Sequence, residues 1–503
     1  MKRMAMIFAI IASAILLASC TDPQPQAGIP AELRAIMEAN RAIALPPQHP
    51  DLMPMRYNFL TRGTTDDVLR DIRIADTIRH YRQQTAREVD PRDVLAREEL
   101  AWEINFLFDF LRHAYAGYQH FGGDAVFLPL RDAMLKRLAR MSDPLPLYSY
   151  LDDLLAPALQ GVIADNHFVI AFPDGERRRF DAPAHALRMS DEFVLRKAGG
   201  EFVTEIDGAT YRVLETALHD GQPADGILPT LTREGEFAFA FGRFDLAGTC
   251  PINMTVVFEN IATGERRSRS VRLSPVESPP QRHYPPLEKR EEGGVAILES
   301  KCFQRLSGEM PEDFFGAGYA LRDRPLLVLD LRGHRGGQAF FASSWMLGFS
   351  DQRPSIVPAL MDFHLSSLAI GEFRQIGHPW RPGINWYPPM PLSSREPIPN
   401  DNLVIVLMDN KTASAGEWFV GYLRQLENAL FVGTNTWGVL LTGLVTRTIL
   451  PRSGLEVQFG MGINVRPDLS LFEGVGFLPD LWVPPSESLE RVLAFIERYG
   501  LNR

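Results

Sequence analysis

Two stretches of the 503-residue sequence place small or hydroxyl-bearing residues where backbone chemistry concentrates. The apolar run 403–408 (LVIVLM) leads through Asp409, Asn410, Lys411, Thr412 and Ala413 to Ser414, and a helical pattern begins there. A serine at a helix N-terminus lies beside unpaired N–H groups and the positive end of the helix dipole, which stabilise an oxyanion formed next to its hydroxyl. A plain N-cap serine occupies the same kind of place, so spacing alone leaves nucleophile and cap as alternatives. The run 326–331 (LLVLDL) is followed by Arg332, Gly333, His334, Arg335, Gly336 and Gly337. Paired glycines at the carboxyl end of a strand let backbone N–H groups approach a bound group closely, and a tight strand-to-helix turn is the alternative.

The elements around these stretches must hold them in place. Segments 295–298, 325–331 and 403–408 are apolar at nearly every position, as strands buried on both faces must be. Segments 339–349 and 414–426 read as helices between them, so residues 291–503 form an α/β unit with a mainly parallel sheet covered on both sides and a C-terminal helix. Upstream, residues 31–165 carry a helical pattern, clearest where Leu95, Leu100, Ile104, Phe106, Leu107, Phe110 and Leu111 recur at helical spacing. Residues 166–277 alternate in short segments such as 237–242 and 254–258, which is strand-and-hairpin texture. The proline-rich stretch 278–290 reads as a linker.

Length and composition bound the function. A chain of 503 residues exceeds the size at which single cores stop growing, about 250–300 residues, so several domains are expected. A net charge of −10 lacks the basic excess that phosphate backbones attract, and nucleic acid is not expected as a partner. No CxxC pair and no HExxH occur, and neither a metal nor a cofactor is expected.

The first twenty residues read as an export signal. Lys2 and Arg3 precede an apolar run too short for a comfortable membrane span, closed by Leu17, Ala18, Ser19 and Cys20. The pattern resembles the bacterial lipoprotein signal, which implies that Cys20 is lipidated and anchors the chain to a membrane. Residues 21–30 (TDPQPQAGIP) suit a flexible tether. The working body is expected in the cell envelope, and Thr21, not aspartate, after the cysteine favours the outer membrane with the body facing the periplasm. Cys250 and Cys302 remain, either bridged in an oxidising compartment or as two free thiols.

Four motifs then occur in order: Asp330-Leu331-Arg332 with Gly336-Gly337; Thr412-Ala413-Ser414-Ala415-Gly416-Glu417; Val432-Gly433 with Thr436-Trp437-Gly438; and Glu473-Gly474 with Gly476 and Pro479-Asp480. In this order and spacing the chain resembles the tail-specific, or C-terminal processing, serine peptidases. The resemblance implies a ClpP/crotonase-like core, Ser414 as nucleophile, and an oxyanion hole built from the N–H of Ala415 and one of the Gly336-Gly337 pair. Most members activate the serine with a lysine directly after the Thr-aromatic-Gly segment. Here that place is held by Val439, which removes the family's usual lysine and leaves a neighbouring one, such as Lys411 or Lys301, as a substitute that nothing in the spacing brings to Ser414.

A smaller branch, which includes the chlamydial protease-like activity factor, replaces the lysine with a histidine from an Asp-x-His segment and a glutamate before the Gly-x-x-Pro-Asp segment. Asp165-Asn166-His167 and Glu473 match both. By this resemblance His167 is the general base and Glu473 the carboxylate that orients its ring. Imidazole titrates near neutrality and can take a serine proton, and a carboxylate holds the useful tautomer. His334, in the loop after Asp330, is the competing histidine and a candidate for lining the site. Glu417, in the first turn after Ser414, is assigned a helix-stabilising role. Many relatives carry a PDZ domain where the β-rich module lies, and Glu205-Ile206-Asp207-Gly208 shows only a faint, degenerate likeness to one. The proline-rich insertion 377–400 is either the wall of a substrate groove or a surface excursion.

The function expected is hydrolysis of peptide bonds in protein or peptide substrates through an acyl-enzyme on Ser414. The alternative is an inactive relative, with Val439 in place of the lysine, that serves as a peptide-binding or scaffold lipoprotein. Substrate identity and oligomeric state are not encoded in any recognisable motif.

Overall fold

The computed structural model describes residues 28–44, 50, 89–173, 175–218, 226–246, 250–279, 287–303, 311–352, 354, 360–363, 397–466 and 472–502. The export signal, Cys20, most of the tether and most of the 377–400 insertion lie outside the described residues.

The apolar runs form the centre of a six-stranded sheet. Its order is Leu287–Glu292, Val295–Ser300, Leu326–Asp330, Leu403–Met408, Ala429–Gly433 and Leu481–Trp482. The first pair is an antiparallel hairpin and every later pairing is parallel. All residues of the four middle strands are buried, which is why no polar alternation shows in their sequence. Helices Pro311–Leu321, Phe340–Ser350 and Ala415–Leu423 cover one face through Phe314, Trp345 and Phe419. Helices Ala31–Ala44 and Ser488–Arg498 cover the other through Leu33, Met37, Val492 and Phe495. Each such side chain withdrawn from water contributes about 1.5–3 kcal/mol, so both layers are held chiefly by burial. This is the α/β core that the ClpP/crotonase likeness implied.

Three expected boundaries are corrected. Helix Ala31–Ala44 belongs to this core and not to the helical region, because its apolar stripe of Leu33 and Met37 meets the sheet and Asn40 donates to Asp480 at 3.0 Å. Residues 287–290 are not linker, since Leu287–Glu292 is already the first strand of the hairpin. Strand Asp165–Ala171 does not open the β-rich module at residue 166. It pairs with Arg177–Phe180 and with Glu456–Val465, in a sheet that also includes Thr442–Ile449 and Leu360–Phe363.

The physical reason is where the strand's apolar side chains go. Phe168 and Ile170 pack with Val457 and Phe459 against Leu100, Ile104, Phe110 and Leu111 of helix Arg97–Ala114 and against Phe127 of helix Asp124–Leu138. The β-rich module has its own core of Leu195, Tyr211, Phe241, Phe258 and Val271. A strand 165 residues into the chain and one near its end thereby share a sheet, which brings the Asp-x-His segment to the catalytic core.

The module itself, from His185–Met189 to Arg266–Pro275, is an antiparallel eight-stranded sheet. A bridge between Leu195 and Phe239 curls it onto itself around its aromatic core. Among the described residues it contains strands only, so the helix-walled groove in which a PDZ domain takes a peptide tail is absent from them.

Candidate active site

The loop between strand Leu403–Met408 and helix Ala415–Leu423 turns sharply at Ser414, whose backbone stands at φ 52° and ψ −119°. A positive φ on a non-glycine residue costs about 1–3 kcal/mol and persists only where the surroundings impose it. The plain N-cap reading does not hold, since the Ser414 hydroxyl makes no cap bond. The N–H groups of Glu417 and Trp418 are taken instead by the Ser414 carbonyl, at 2.9 and 3.0 Å. The hydroxyl is left for chemistry.

Its partner is His167. Asp165 pairs with Phe180 and Val169 with Arg179, so residues 166–168 bulge out of the ladder, and a bulge re-aims the side chains it carries. Asn166 pins the bulge. Its Nδ2 donates to the Gly438 carbonyl at 2.8 Å, its Oδ1 accepts the Ala182 N–H at 2.8 Å, and its carbonyl accepts from Arg179 at 3.0 Å. The result places His167 Nε2 at 3.1 Å from Ser414 Oγ. Burial holds the ring's pKa below its ordinary value, with Arg179 acting in the same sense, while Asp165 and the Thr442 main chain favour the charged form. The ring is therefore neutral at neutral pH, the state a general base requires.

Glu473 is not where the resemblance put it. The His167 Nδ1 atom has no hydrogen-bond partner, and the Glu473 carboxylate accepts three backbone N–H groups: Asn166 at 2.7 Å, Leu440 at 2.9 Å and Leu441 at 2.7 Å. It grips the main chain on either side of the histidine and does not orient the ring directly. Its pKa is raised, first by burial and then by the neighbouring Asp165. That aspartate is itself fully buried and accepts from Tyr115 Oη at 2.8 Å, Thr442 Oγ1 at 2.9 Å and the His167 N–H at 2.9 Å. Only the Asp-x-His spacing signalled it in the sequence.

Glu417, read as a helix-stabilising residue, does more than complement a dipole. Fully buried, it accepts the Ser414 N–H at 2.9 Å and the Val439 N–H at 2.8 Å on one oxygen. On the other it accepts Thr436 Oγ1 at 2.6 Å and the Gly438 N–H at 2.8 Å. Burial raises its pKa to about 7, against the pull of these four donors.

For the oxyanion, the two glycines part company. The Gly336 N–H donates to His334 Nδ1 at 3.0 Å and is spent there. The N–H groups of Gly337 and Ala415 have no partner among the described residues. The hole expected from Ala415 and one of the pair is thus Ala415 with Gly337. A Cβ on Gly336 would stand 2.8 Å from Ser414 Cβ, so close approach explains the residue as much as its φ of +90° does. His334 is completely buried against Phe303, with ring centroids 4.2 Å apart, and its pKa is lowered to about 3 by burial. It props the loop as a neutral acceptor and is not a second base.

Neither lysine near the motifs replaces the missing one. Lys411 donates to the Pro279 carbonyl at 3.1 Å, and Lys301 lies 2.8 Å from Glu299 and donates to the Arg332 carbonyl at 2.8 Å. Val439 is buried at the lysine's place, its N–H held by Glu417. Cys250 and Cys302 are both free thiols.

A strained serine paired with a neutral histidine beside free backbone donors, on a doubly covered parallel sheet, defines a serine hydrolase site. Residues 371–483, which include Ser414 and Glu473 but not His167, match the family model described as Peptidase family S41. The segment that carries Ser414 is thus similar to the S41 serine peptidases, in line with the tail-specific resemblance. Among solved structures it is similar to mature CPAF, at 15% identity over 80% of this chain and 96% of that one, with a TM-score of 0.38. It is similar also to the photosystem II D1 C-terminal processing protease, at 15% identity over 78% of this chain and 97% of that one, with a TM-score of 0.37. No curated protein matches the chain.

Proposed function

We propose that the chain is a lipid-anchored serine endopeptidase of the bacterial cell envelope in which His167 and not a lysine activates Ser414. The observation that carries this reading is the 3.1 Å contact between His167 Nε2 and Ser414 Oγ. His167 takes the hydroxyl proton as Oγ attacks the scissile carbonyl. The oxyanion is received by the N–H groups of Ala415 and Gly337. The imidazolium returns its proton to the leaving amine, and water activated by the same ring hydrolyses the acyl-enzyme. Glu473 contributes by fixing the main chain around His167. Lipidation of Cys20, at the end of the export signal, places the body in the periplasm, and Thr21 supports the outer membrane.

A fluorophosphonate probe and a fluorogenic peptide library test the chemistry. Ser414→Ala is expected to abolish labelling, and His167→Ala to lower turnover about a hundredfold or more. Labelling of Ser414→Ala at the wild-type rate overturns the reading, and a wild-type protein that binds peptides without cleaving any favours the scaffold. For the anchor, Cys20→Ser is expected to move the protein from the membrane to the soluble periplasmic fraction.

A further inference from the structure

The nucleophile and the base lie 247 residues apart in the chain, and among the described residues no hydrogen bond joins their backbones directly. Both are fastened to one intermediate stretch, residues 436–441. At one end Glu417 binds Thr436, Gly438 and Val439 while holding the Ser414 N–H. At the other Glu473 binds Leu440 and Leu441 while holding the N–H of Asn166, the residue before His167. Asn166 closes the loop by donating to the Gly438 carbonyl at 2.8 Å. A ring of contacts therefore runs from Ser414 through Glu417, the 436–441 stretch, Glu473 and Asn166 to His167, and back to Ser414 across the 3.1 Å catalytic contact.

We propose that Glu417 is a positioning residue for catalysis, which with Glu473 clamps the 436–441 stretch and so sets the distance between Ser414 and His167. All four groups facing Glu417 are donors, three N–H and one hydroxyl, so the site is built for a carboxylate that only accepts. A helix-stabilising glutamate needs only the Ser414 N–H. The three further bonds lead away from the helix, and they end on the stretch where the lysine-bearing relatives keep their base. The strained φ of Ser414 gives the clamp work to do, because a nucleophile held off its preferred backbone returns toward it when released. A shift of about 1 Å in the reacting pair costs on the order of a hundredfold in rate.

The inference rests on the proposed Ser414–His167 chemistry, and the experiment separates the two. Glu417→Gln keeps the shape but turns an NH2 toward two donors. It is expected to lower kcat about 10- to 100-fold with KM within about twofold of wild type, because the lost contacts act on the reacting pair and not on the peptide. Glu473→Gln is expected to do the same. Since both anchors serve one stretch, the double variant should fall no more than about threefold below the worse single one. Near-UV circular dichroism checks that the variants fold. If Glu417→Gln does not, Thr436→Val, which removes one donor and leaves the carboxylate, is expected to lower kcat about threefold at constant KM. Wild-type kcat in the folded glutamine variant, losses that multiply in the double variant, or a rise in KM in place of the fall in kcat overturns the clamp. Ser414→Ala runs alongside: if it keeps wild-type turnover, the peptidase chemistry itself falls, whereas an inactive Ser414→Ala with a fully active Glu417→Gln removes the clamp alone.

Discussion

His167 Nε2 and Ser414 Oγ stand 3.1 Å apart although 247 residues separate them in the chain. The contact depends on strand Asp165–Ala171 leaving its sequence neighbours to pair with Glu456–Val465, and on a bulge that turns the ring out of that ladder. The base thus arrives on a rigid element and not on a loop, and it is stripped of water on arrival.

That burial sets the direction of the pH dependence. His167 must be neutral to accept a proton, and its pKa is lowered by desolvation and by Arg179 against the opposing pull of Asp165 and the Thr442 main chain. Glu417 must be ionised to accept its four donors, and its pKa is raised to about 7. Both conditions fail as pH falls, and the group with the higher value fails first. The acid limb of kcat/KM is therefore expected near pH 7, governed by Glu417, with no charged side chain among the causes of its shift. In Glu417→Gln the residual activity should show a limb moved below the ordinary histidine range, where His167 itself titrates. A limb unmoved by that substitution assigns it to another group.

The two glycines after Arg335 should respond differently to an added methyl group. On Gly336, at φ +90°, a Cβ would meet Ser414 Cβ at 2.8 Å and the Ala413 carbonyl at 2.9 Å, so alanine there displaces the nucleophile. On Gly337, at φ +128°, it would meet the Phe303 carbonyl at 2.2 Å, so alanine pushes the oxyanion donor away from Phe303, with which Gly337 forms an isolated bridge. Gly336→Ala is expected to lower kcat at least tenfold and to lose about 1–3 kcal/mol of stability, since φ +90° is strained for alanine. Gly337→Ala is expected to lose activity and more stability than Gly336→Ala, because its closest main-chain contact is the tighter, 2.2 Å against 2.9 Å. Steady-state kinetics and differential scanning fluorimetry on both variants check this.

How much of this was legible in the sequence follows from how local each feature is. The strands around Leu329 and Val406 announce themselves, since burial on both faces leaves no room for polar residues. Ser414 and the Gly336-Gly337 pair were readable because strand ends and helix starts are local too. His167 needed the family pattern, for nothing near Asn166 says that Val169 of the same strand will pair with Gln458, far along the chain; the Gln458 side chain also donates to the His167 carbonyl at 3.0 Å. The role of Glu473 was misplaced because a motif fixes a residue and not the direction of its carboxylate. Glu417 was undervalued for the opposite reason: one of its bonds is local and visible as a capping pattern, while the other three reach residues that only the fold brings near.

His334 offers a test of the loop that carries the oxyanion donor. Its Nδ1 accepts the Gly336 N–H at 3.0 Å, and its pKa of about 3 keeps it neutral at neutral pH. His334→Phe fills the same space against Phe303 but leaves the buried Gly336 N–H unpaired, which costs about 1–3 kcal/mol. Turnover is expected to fall about tenfold as the loop loosens, with no shift of the acid limb, because the ring never titrates in the working range. A displaced limb assigns His334 to proton transfer after all.

Tyr115 ties the helical region to the site and gives the last test. It follows helix Arg97–Ala114, is fully buried, and donates its hydroxyl to Asp165 at 2.8 Å. Asp165 in turn accepts the His167 N–H at 2.9 Å and the Thr442 hydroxyl at 2.9 Å, so it is the junction between the N-terminal helices, the base and the strand after the 436–441 stretch. Tyr115→Phe removes one donor and leaves the ring packing on Phe168, whose centroid is 5.1 Å away. With one partner gone, Asp165 loses a buried hydrogen bond, and one to a charged group is worth about 1.5–3 kcal/mol. The expected result is a lower denaturant midpoint by a comparable free energy and a modest fall in kcat, about threefold, as Asp165 holds the His167 N–H less firmly. A stability loss with kcat unchanged makes Tyr115 structural only, whereas loss of both at once shows that the helical region reports on the catalytic base through a single aspartate.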